Sequence, residues 1–339
     1  MRDQRGFVLI SLYLVLAVII GLTGALVVNA MAESQSAKRS YASAQALYLA
    51  EGGIDRAIVQ LRENFSWSSG FSSVPLGMAG DYTVAVQPVG ANRRLSATGR
   101  SRLFQSATIR SVEAIVRRSV PPNFYDNVIW SSQELDFRGE AFTVAGDVRH
   151  GDTSPTRNLS RVQGTVTYDP ATHPLPRLSF QQLYDIASAQ GNIYDADRIG
   201  NGRDVFPDSF WFTPPTDPGD PTTGVPNVNY VTTDLILKGN IGTIGGFFVV
   251  VGDVLTNPLV AEDATINGNG QVAGAVYATG DFRVNGGGNG LNVDGGIWAG
   301  DEARLNGNTT LTYNRAYMDA IRGLEINADV QVVSWRDLS

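Results

Sequence analysis

The most regular feature of the hydrophobic pattern is an uncharged, mostly apolar run from Phe7 to Met31. A helix over residues 7–31, at about 1.5 Å per residue, exceeds the roughly 30 Å of a hydrocarbon core. The apolar part of a secretory signal is usually only about 7–15 residues long. The run therefore predicts a retained membrane-spanning helix. Ala30-Met31-Ala32 fits a signal-cleavage pattern, which leaves cleavage there as an alternative.

Two basic residues, Arg2 and Arg5, precede this run. Positive charge beside a membrane helix favours the cytoplasmic side, so the short N-terminus is predicted to stay in the cytoplasm. Everything after Met31 is then expected in the periplasm or beyond. The predicted location is a bacterial inner membrane, crossed once.

The apolar run continues without proline into a segment whose apolar residues fall on one helical face. These residues are Leu47, Ala50, Ile54, Ala57, Ile58 and Leu61. One helix is predicted from Phe7 to about Asn64, roughly 87 Å long. Its second half is amphipathic and is expected to pack on a folded domain.

Three runs with β-branched residues and turn signals follow at 81–89, 93–99 and 106–117. Their alternation predicts a small antiparallel sheet with one buried face. Pro121-Pro122 ends this pattern. Residues 32–122 are therefore predicted to form one body, in which the helix packs on the sheet.

Beyond this body, glycine and Asn or Asp recur between short β-rich runs. Two of these runs align at a fixed offset, which pairs Gly274 with Gly295, Tyr277 with Trp298, and Asn285-Gly286 with Asn306-Gly307. Fixed offsets indicate stacked structural units. We predict a short right-handed β-helix formed by 123–150, as its first coil, and 230–313.

The remaining parts of the chain have other patterns. Residues 151–229 are proline-rich in part, contain one predicted helix at 179–190, and are interpreted as an irregular insertion. Residues 314–339 are predicted to cap the β-helix with a helix at 314–322 and a strand at 330–335. The predicted fold class is α+β followed by all-β.

The amino-acid composition excludes several kinds of functional site. The chain has no cysteine, two histidines and a formal net charge of −7, and it lacks a run of Lys or Arg. Thiol chemistry and a His-rich metal site are therefore excluded, and no nucleic-acid partner is expected. No catalytic residue and no cofactor are predicted, so the chain is not expected to be an enzyme.

The aspartates of the repeats are interpreted first as turn residues. Asp253, Asp281 and Asp301 each follow glycine at a predicted corner, where aspartate commonly caps a turn. Glu262-Asp263 and the pair Asp217 and Asp220 are the candidates for oxygen ligands of calcium, although no complete calcium-loop spacing is present.

The N-terminal residues carry a family resemblance. Arg5-Gly6-Phe7, followed by VLIS, resembles the processing site of type IV pilins. The resemblance implies that residues 1–6 are a leader, that a prepilin peptidase cuts between Gly6 and Phe7, and that it methylates the new amine. Residues 46–57, which include Glu51, are similar to a segment of PilX-type pilin-like proteins. A long helix on an antiparallel sheet is the architecture that this resemblance implies.

One position departs from the family pattern. Most major pilins have Glu as the fifth mature residue, where its carboxylate is thought to neutralise a neighbour's N-terminal amine, but this chain has Ser11. An unpaired buried charge costs several kcal/mol, so such a subunit is poorly suited to repeat along a filament. The resemblance therefore implies a minor subunit. Absence of this Glu is typical of the K-type pseudopilin and of some PilX-type minor pilins.

Our leading hypothesis is a minor pilin or pseudopilin of a type IV pilus or a type II secretion-like system. It would act in filament initiation or at the tip, in surface display or adhesion. The implied partners are other minor and major pilins, the inner-membrane assembly platform, the prepilin peptidase and a surface or polysaccharide ligand. The alternatives are a membrane-tethered β-helix module that binds or degrades polysaccharide and, third, a main filament subunit. Glu51 and Ser11 are the candidate assembly residues.

Overall fold

A computed structural model describes residues 4–338 except 104–106, 120, 122, 140, 154–157, 200–204 and 253–260, with side chains described from Leu12 onward. Residues 1–3 of the predicted leader therefore lie outside the described residues. The chain divides into two compact units. Unit 1 contains residues 1–60, 66–117 and 332–339, and unit 2 contains residues 61–65 and 118–331.

The elements are named in chain order. They are α1 (Gln4–Glu63), β1 (Phe71–Leu76), β2 (Gly80–Val89), β3 (Asn92–Ser101), β4 (Thr108–Arg118), β5 (Ile129–Ser131), β6 (Leu135–Phe137), β7 (Thr143–Ala145), β8 (Val148–His150), β9 (Val166–Tyr168), α2 (Phe180–Gln190), β10 (Ile193–Tyr194), α3 (Ala196–Ile199), β11 (Trp211–Thr213), β12 (Val225–Pro226), β13 (Val228–Val231), β14 (Leu235–Val250), β15 (Ala264–Ala278), β16 (Phe282–Ala299), β17 (Ala303–Tyr313), α4 (Arg315–Gly323) and β18 (Val330–Asp337).

Unit 1 is a long helix on a five-stranded sheet of order β1-β2-β3-β4-β18. β2, β3 and β4 pair antiparallel, with Val84 opposite Ala97 and Ala97 opposite Val112. Alternate residues of these strands are buried, and so are Ala46, Ala50, Ile54 and Ala57 on one face of α1. The predicted helix and the three predicted strands are confirmed to within a few residues.

The last strand differs from its prediction. β18 was expected to cap a β-helix, but it joins the antiparallel sheet of unit 1 beside β4. A single strand can add to any free sheet edge, and its sequence does not specify which edge. Apart from residues 61–65, unit 2 is therefore inserted in the sequence between the fourth and fifth strands of the unit 1 sheet.

Unit 2 is built on an eleven-stranded sheet whose main path is β10-β13-β14-β15-β16-β5-β8-β9, with β17, β6 and β7 off this path. Every named pair in it is parallel, and β15 and β16 pair over nearly their full length. The predicted register is confirmed: Gly274 lies opposite Gly295 and Tyr277 opposite Trp298. The chain is thus an α+β unit followed by a β-rich unit with a parallel sheet.

The parallel strands bury apolar rows on both sides of part of the sheet. One row runs through Ile244, Val272, Val293 and Leu311, which are paired across successive strands and no more than 1% exposed. On the other side, aromatic residues such as Tyr277 and Trp298 share a second core with residues of α2 and α4. Burial on both faces is typical of parallel sheets.

Glycines form a column at one bend of the sheet. Gly246, Gly274 and Gly295 are consecutive in register and have φ values of +124°, +148° and +151°. A Cβ added to Gly295 would lie 1.8 Å from the carbonyl oxygen of Gly274. Only glycine permits both this backbone conformation and this close approach.

The order of strands also differs from the predicted order. Residues 123–150 were expected to be the first coil, but β5 lies in the middle of the sheet, between β16 and β8. Residues 151–229 were treated as an insertion, yet they contain β9, β10 and the first half of β13, and these strands extend both ends of the sheet. Strands of two to four residues leave almost no periodic signal, and their pairing with distant residues is not encoded locally.

Candidate functional site

The first candidate site is the apolar part of α1. The side chains from Leu12 to Met31 are exposed, with Leu14 at 63%, Ile20 at 63% and Val28 at 66% of their full exposure. By length and composition this helix could cross a membrane, and its place near the N-terminus also fits a signal sequence. A soluble protein rarely leaves so large a continuous apolar surface in contact with water.

The predicted processing and assembly residues lie on the same helix. Gly6, Phe7 and Ser11 belong to α1 by backbone, while their side chains are outside the described part. Glu51 is half-buried, and the ion pairs among the described residues do not include it. The roles of these four residues therefore stay predictions.

Gly53, the second residue of a Gly52-Gly53 pair in α1, is required by close packing. A Cβ on Gly53 would lie 2.9 Å from both Tyr82 Cδ2 and Val84 Cγ2, whereas one on Gly52 would meet nothing within 4 Å. Arg56 Nη1 donates a hydrogen bond of 2.9 Å to the Tyr82 hydroxyl, which holds that ring in place. Gly53 thus lets α1 approach β2 closely.

Asp281, a predicted corner aspartate, and Asp263, a calcium candidate, bind backbone groups of the neighbouring strand segment. Asp263 Oδ1 accepts from the N–H of Asp281 at 2.8 Å, and Asp281 Oδ1 accepts from the N–H of Glu302 at 3.0 Å. Arg283 forms ion pairs with both aspartates. The carboxylate of Asp281 thus bonds the neighbouring segment and not its own turn, so the predicted turn role stays a prediction. Asp253 lies outside the described residues.

The carboxyl group of Glu262 has a strongly raised pKa. Burial, a side-chain hydrogen bond with Asp234 and the negative charges of Asp234 and Asp263 together raise the pKa of Glu262 to about 7. Among the described residues, no group of three or more His, Cys, Asp or Glu side chains is placed to hold a metal ion. The calcium candidates Asp217 and Asp220 instead accept hydrogen bonds from Gly219 and Thr222 in their own turns.

One histidine contact has the composition of a catalytic pair. Ser132 Oγ and His173 Nδ1 lie 2.8 Å apart. Ser132, however, is fully buried at 0% exposure, so its hydroxyl is not accessible to a substrate. The contact fixes a turn of unit 2.

The second candidate site is a polar cleft of about 360 Å³ on the exposed side of β14, β15 and β16. Its lining is made of amide and hydroxyl side chains and glycines: Asn240, Gly242, Thr243, Asn269, Gly270, Gln271, Asn289, Gly290 and Asn292. Sequence reasoning read this Asn- and Gly-rich pattern as turn chemistry alone. The signal that it missed was the recurrence of an exposed polar residue at the same register in three strands.

Comparison with known proteins gives no match among family models or curated sequences. Among solved structures, a DUF3494 domain of an ice-binding protein from Shewanella frigidimarina is 16% identical, with a TM-score of 0.29, over 58% of this chain and 98% of that chain. The competence-associated pilin ComZ from Thermus thermophilus is 12% identical, with a TM-score of 0.22, over 87% of this chain and 97% of that chain.

An ice-binding protein from an Antarctic Flavobacteriaceae bacterium is 13% identical, with a TM-score of 0.21, over 57% of this chain and 48% of that chain. These similarities are weak, and they assign neither a fold family nor a function to this chain.

Proposed function

We propose that this protein is a minor pilin-like or pseudopilin-like subunit of a type IV pilus or a type II secretion-like system, without enzymatic activity. α1 carries the proposal. It is a continuous helix of 60 residues. Its first part has exposed apolar side chains, and its second part is packed on the sheet of unit 1.

The exposed part of α1 needs an apolar environment. From Leu12 to Met31 it has no charged residue. It can therefore lie in a bilayer and later among helices of neighbouring subunits without burying an unpaired charge. Ser11, in place of the usual Glu, favours a subunit used once or a few times, near the filament tip or at initiation, over a main subunit.

The order of elements supports a display role for unit 2. Unit 1 contains α1 up to Gln60 and the strands of its own sheet, and the chain of unit 2, apart from residues 61–65, lies between β4 and β18 of that sheet. An assembly unit with a second folded unit inserted in its sequence can keep its own sheet while it carries the insert. In this proposal unit 2 is a short right-handed β-helix that is displayed outside the inner membrane.

The proposed partners are other minor and major pilins, the inner-membrane assembly platform and the prepilin peptidase, and unit 2 would contact a surface ligand. The competing function is a tethered β-helix module that binds or degrades polysaccharide and never enters a filament. The buried Ser132 does not favour a catalytic version of that alternative.

Processing at Gly6 separates the two functions. The full chain is expressed in hosts with and without prepilin peptidase, and its N-terminus is determined by intact mass and sequencing. We expect a chain that begins with N-methylated Phe7 only when the peptidase is present. Gly6→Val should block this cleavage, while the matched variant Gly21→Val, in the same apolar run, should leave it unchanged. An intact Met1 in both hosts would contradict the proposal.

A further inference from the structure

The polar cleft of unit 2 is formed by equivalent positions of three neighbouring strands. Thr243 lies opposite Gln271, and Gln271 lies opposite Asn292. All three side chains are exposed, and the residue that follows each of them, Ile244, Val272 or Val293, is buried. Because parallel strands lie about 4.8 Å apart, these polar groups repeat at that interval across the sheet.

An irregularity of β16 forms one rim of the cleft. Gly286 pairs with Gly268 and Leu291 with Gly270, so residues 287–290 of β16 lie opposite Asn269 alone. The extra residues form a bulge that brings Asn289 and Gly290 to the cleft. At the β14 edge, Asn240 Oδ1 accepts the N–H of Gly242 at 3.1 Å, which fixes the orientation of that amide.

The lining determines which ligand fits. None of its nine residues is ionisable or aromatic, and five of them are Asn or Gln. Each amide side chain has an NH2 group that donates and an oxygen that accepts hydrogen bonds. A hydroxyl group can likewise both donate and accept, so the two groups are complementary. A phosphate-rich or other polyanionic ligand would find no Lys or Arg here, and an apolar ligand would bury the amides without partners at a cost in free energy.

We infer that this cleft binds a neutral, hydroxyl-rich glycan chain. The inference rests on the display role in the proposed function and assigns that role to named residues. A volume of about 360 Å³ is at the small end of ligand sites, so one cleft holds only a short segment of the chain. Binding by one copy is accordingly weak, and several displayed copies would strengthen it.

The test uses the full chain in lipid nanodiscs, because glycoside detergents would compete for the cleft. Binding to immobilised cellohexaose, maltohexaose and chitohexaose is measured by biolayer interferometry. We expect the wild type to bind at least one of them. The double variant Gln271→Ala/Asn292→Ala should bind at least about tenfold more weakly, since two hydrogen-bonding side chains are lost.

Asn285→Ala is the matched control. Asn285 is an exposed amide on β16 that lies outside the cleft and donates to Asn267. This variant should keep the wild-type affinity within about twofold, and unfolding curves of all variants should agree, since the substituted side chains are exposed. Equal affinity of the double variant and the wild type would overturn the inference, and so would binding of sulfated polysaccharide with none of the neutral probes.

The outcome is separable from that of the proposed function. Absence of glycan binding in a chain that is correctly processed at Phe7 would overturn the cleft alone. Glycan binding that depends on Gln271 and Asn292, in a chain that no peptidase cuts, would support the cleft and contradict assembly into a filament.

Discussion

Gly52 and Gly53 allow a matched test of how α1 packs on its sheet. Both are in the helix, where replacement of glycine by alanine contributes about 1 kcal/mol of stability through backbone entropy. Gly52 is exposed, and a new methyl group there meets nothing within 4 Å. Gly52→Ala should therefore stabilise the helix by about 1 kcal/mol.

Gly53→Ala should behave in the opposite way. Its methyl group would lie 2.9 Å from atoms of Tyr82 and Val84. The Tyr82 ring is held by Arg56 and by an edge contact with Phe71 at a centroid distance of 6.2 Å, so it cannot move freely. Overpacking costs about 1–3 kcal/mol. This cost cancels or exceeds the stabilisation of about 1 kcal/mol that alanine brings to the helix. The free energies of unfolding of the two variants should therefore differ by about 1–3 kcal/mol.

Hydrogen exchange of the α1 amides, measured on the full chain in nanodiscs, reports the local opening free energy. Gly52→Ala should slow exchange of the segment that contains Ala50 and Ile54 by about fivefold, the factor for 1 kcal/mol. Gly53→Ala should leave it unchanged or accelerate it. Equal protection in the two variants would refute the close packing of Gly53 on β2.

Three further predictions concern the corner acids and the N-terminus. Asp281→Ala removes the acceptor of the Glu302 N–H and one of the two ion pairs of Arg283, so urea denaturation should show a loss of about 1–3 kcal/mol, and a smaller loss for Asp281→Asn, which keeps an acceptor oxygen. Glu262 has a pKa of about 7 in the folded state, against an ordinary pKa of 4.5. Because the folded state therefore binds the proton more tightly, its free energy of unfolding should fall as pH rises from about 4.5 to about 7. Glu262→Gln should remove that fall. If the variant and the wild type had the same pH profile of hydrogen exchange, the raised pKa would be contradicted. Ser11→Glu should increase the copy number of the subunit in sheared filaments, as counted by quantitative mass spectrometry, and an unaltered number would argue against a role of Ser11 in limiting incorporation.

Much of unit 1 could be predicted from the sequence, because its signals are local. The apolar run, the face that contains Ala50 and Ile54, and the alternation of β2 to β4 each extend over many residues. The register of Gly274 with Gly295 was also readable, because the two strands repeat the same pattern. In each case the information lies within one element or in a repeated pair of elements.

The rest depends on contacts between distant residues. Nothing in the two residues of β10 indicates that they end a parallel sheet, and β18 is compatible with several sheet edges. The polar cleft was not predicted from the sequence for a related reason. Asn and Gly favour turns wherever they occur, so only the register of Thr243, Gln271 and Asn292 reveals that they form a row.

The central place of β5 in the parallel sheet has a consequence for folding. Ile129 pairs with Ile297, and Leu135 pairs with Ala303, so strands made early in synthesis bond to strands made late. Closing such long loops is entropically costly, and sheets dominated by distant pairs fold slowly. Residues 129–131 can pair early with 148–150, but residues 129–131 and 135–137 gain their partners at 297–299 and 303–305 only after those residues have been made. A chain cut short before β16 would lose the middle of the sheet, although β10 and β9, the strands at its two ends, would already have been made.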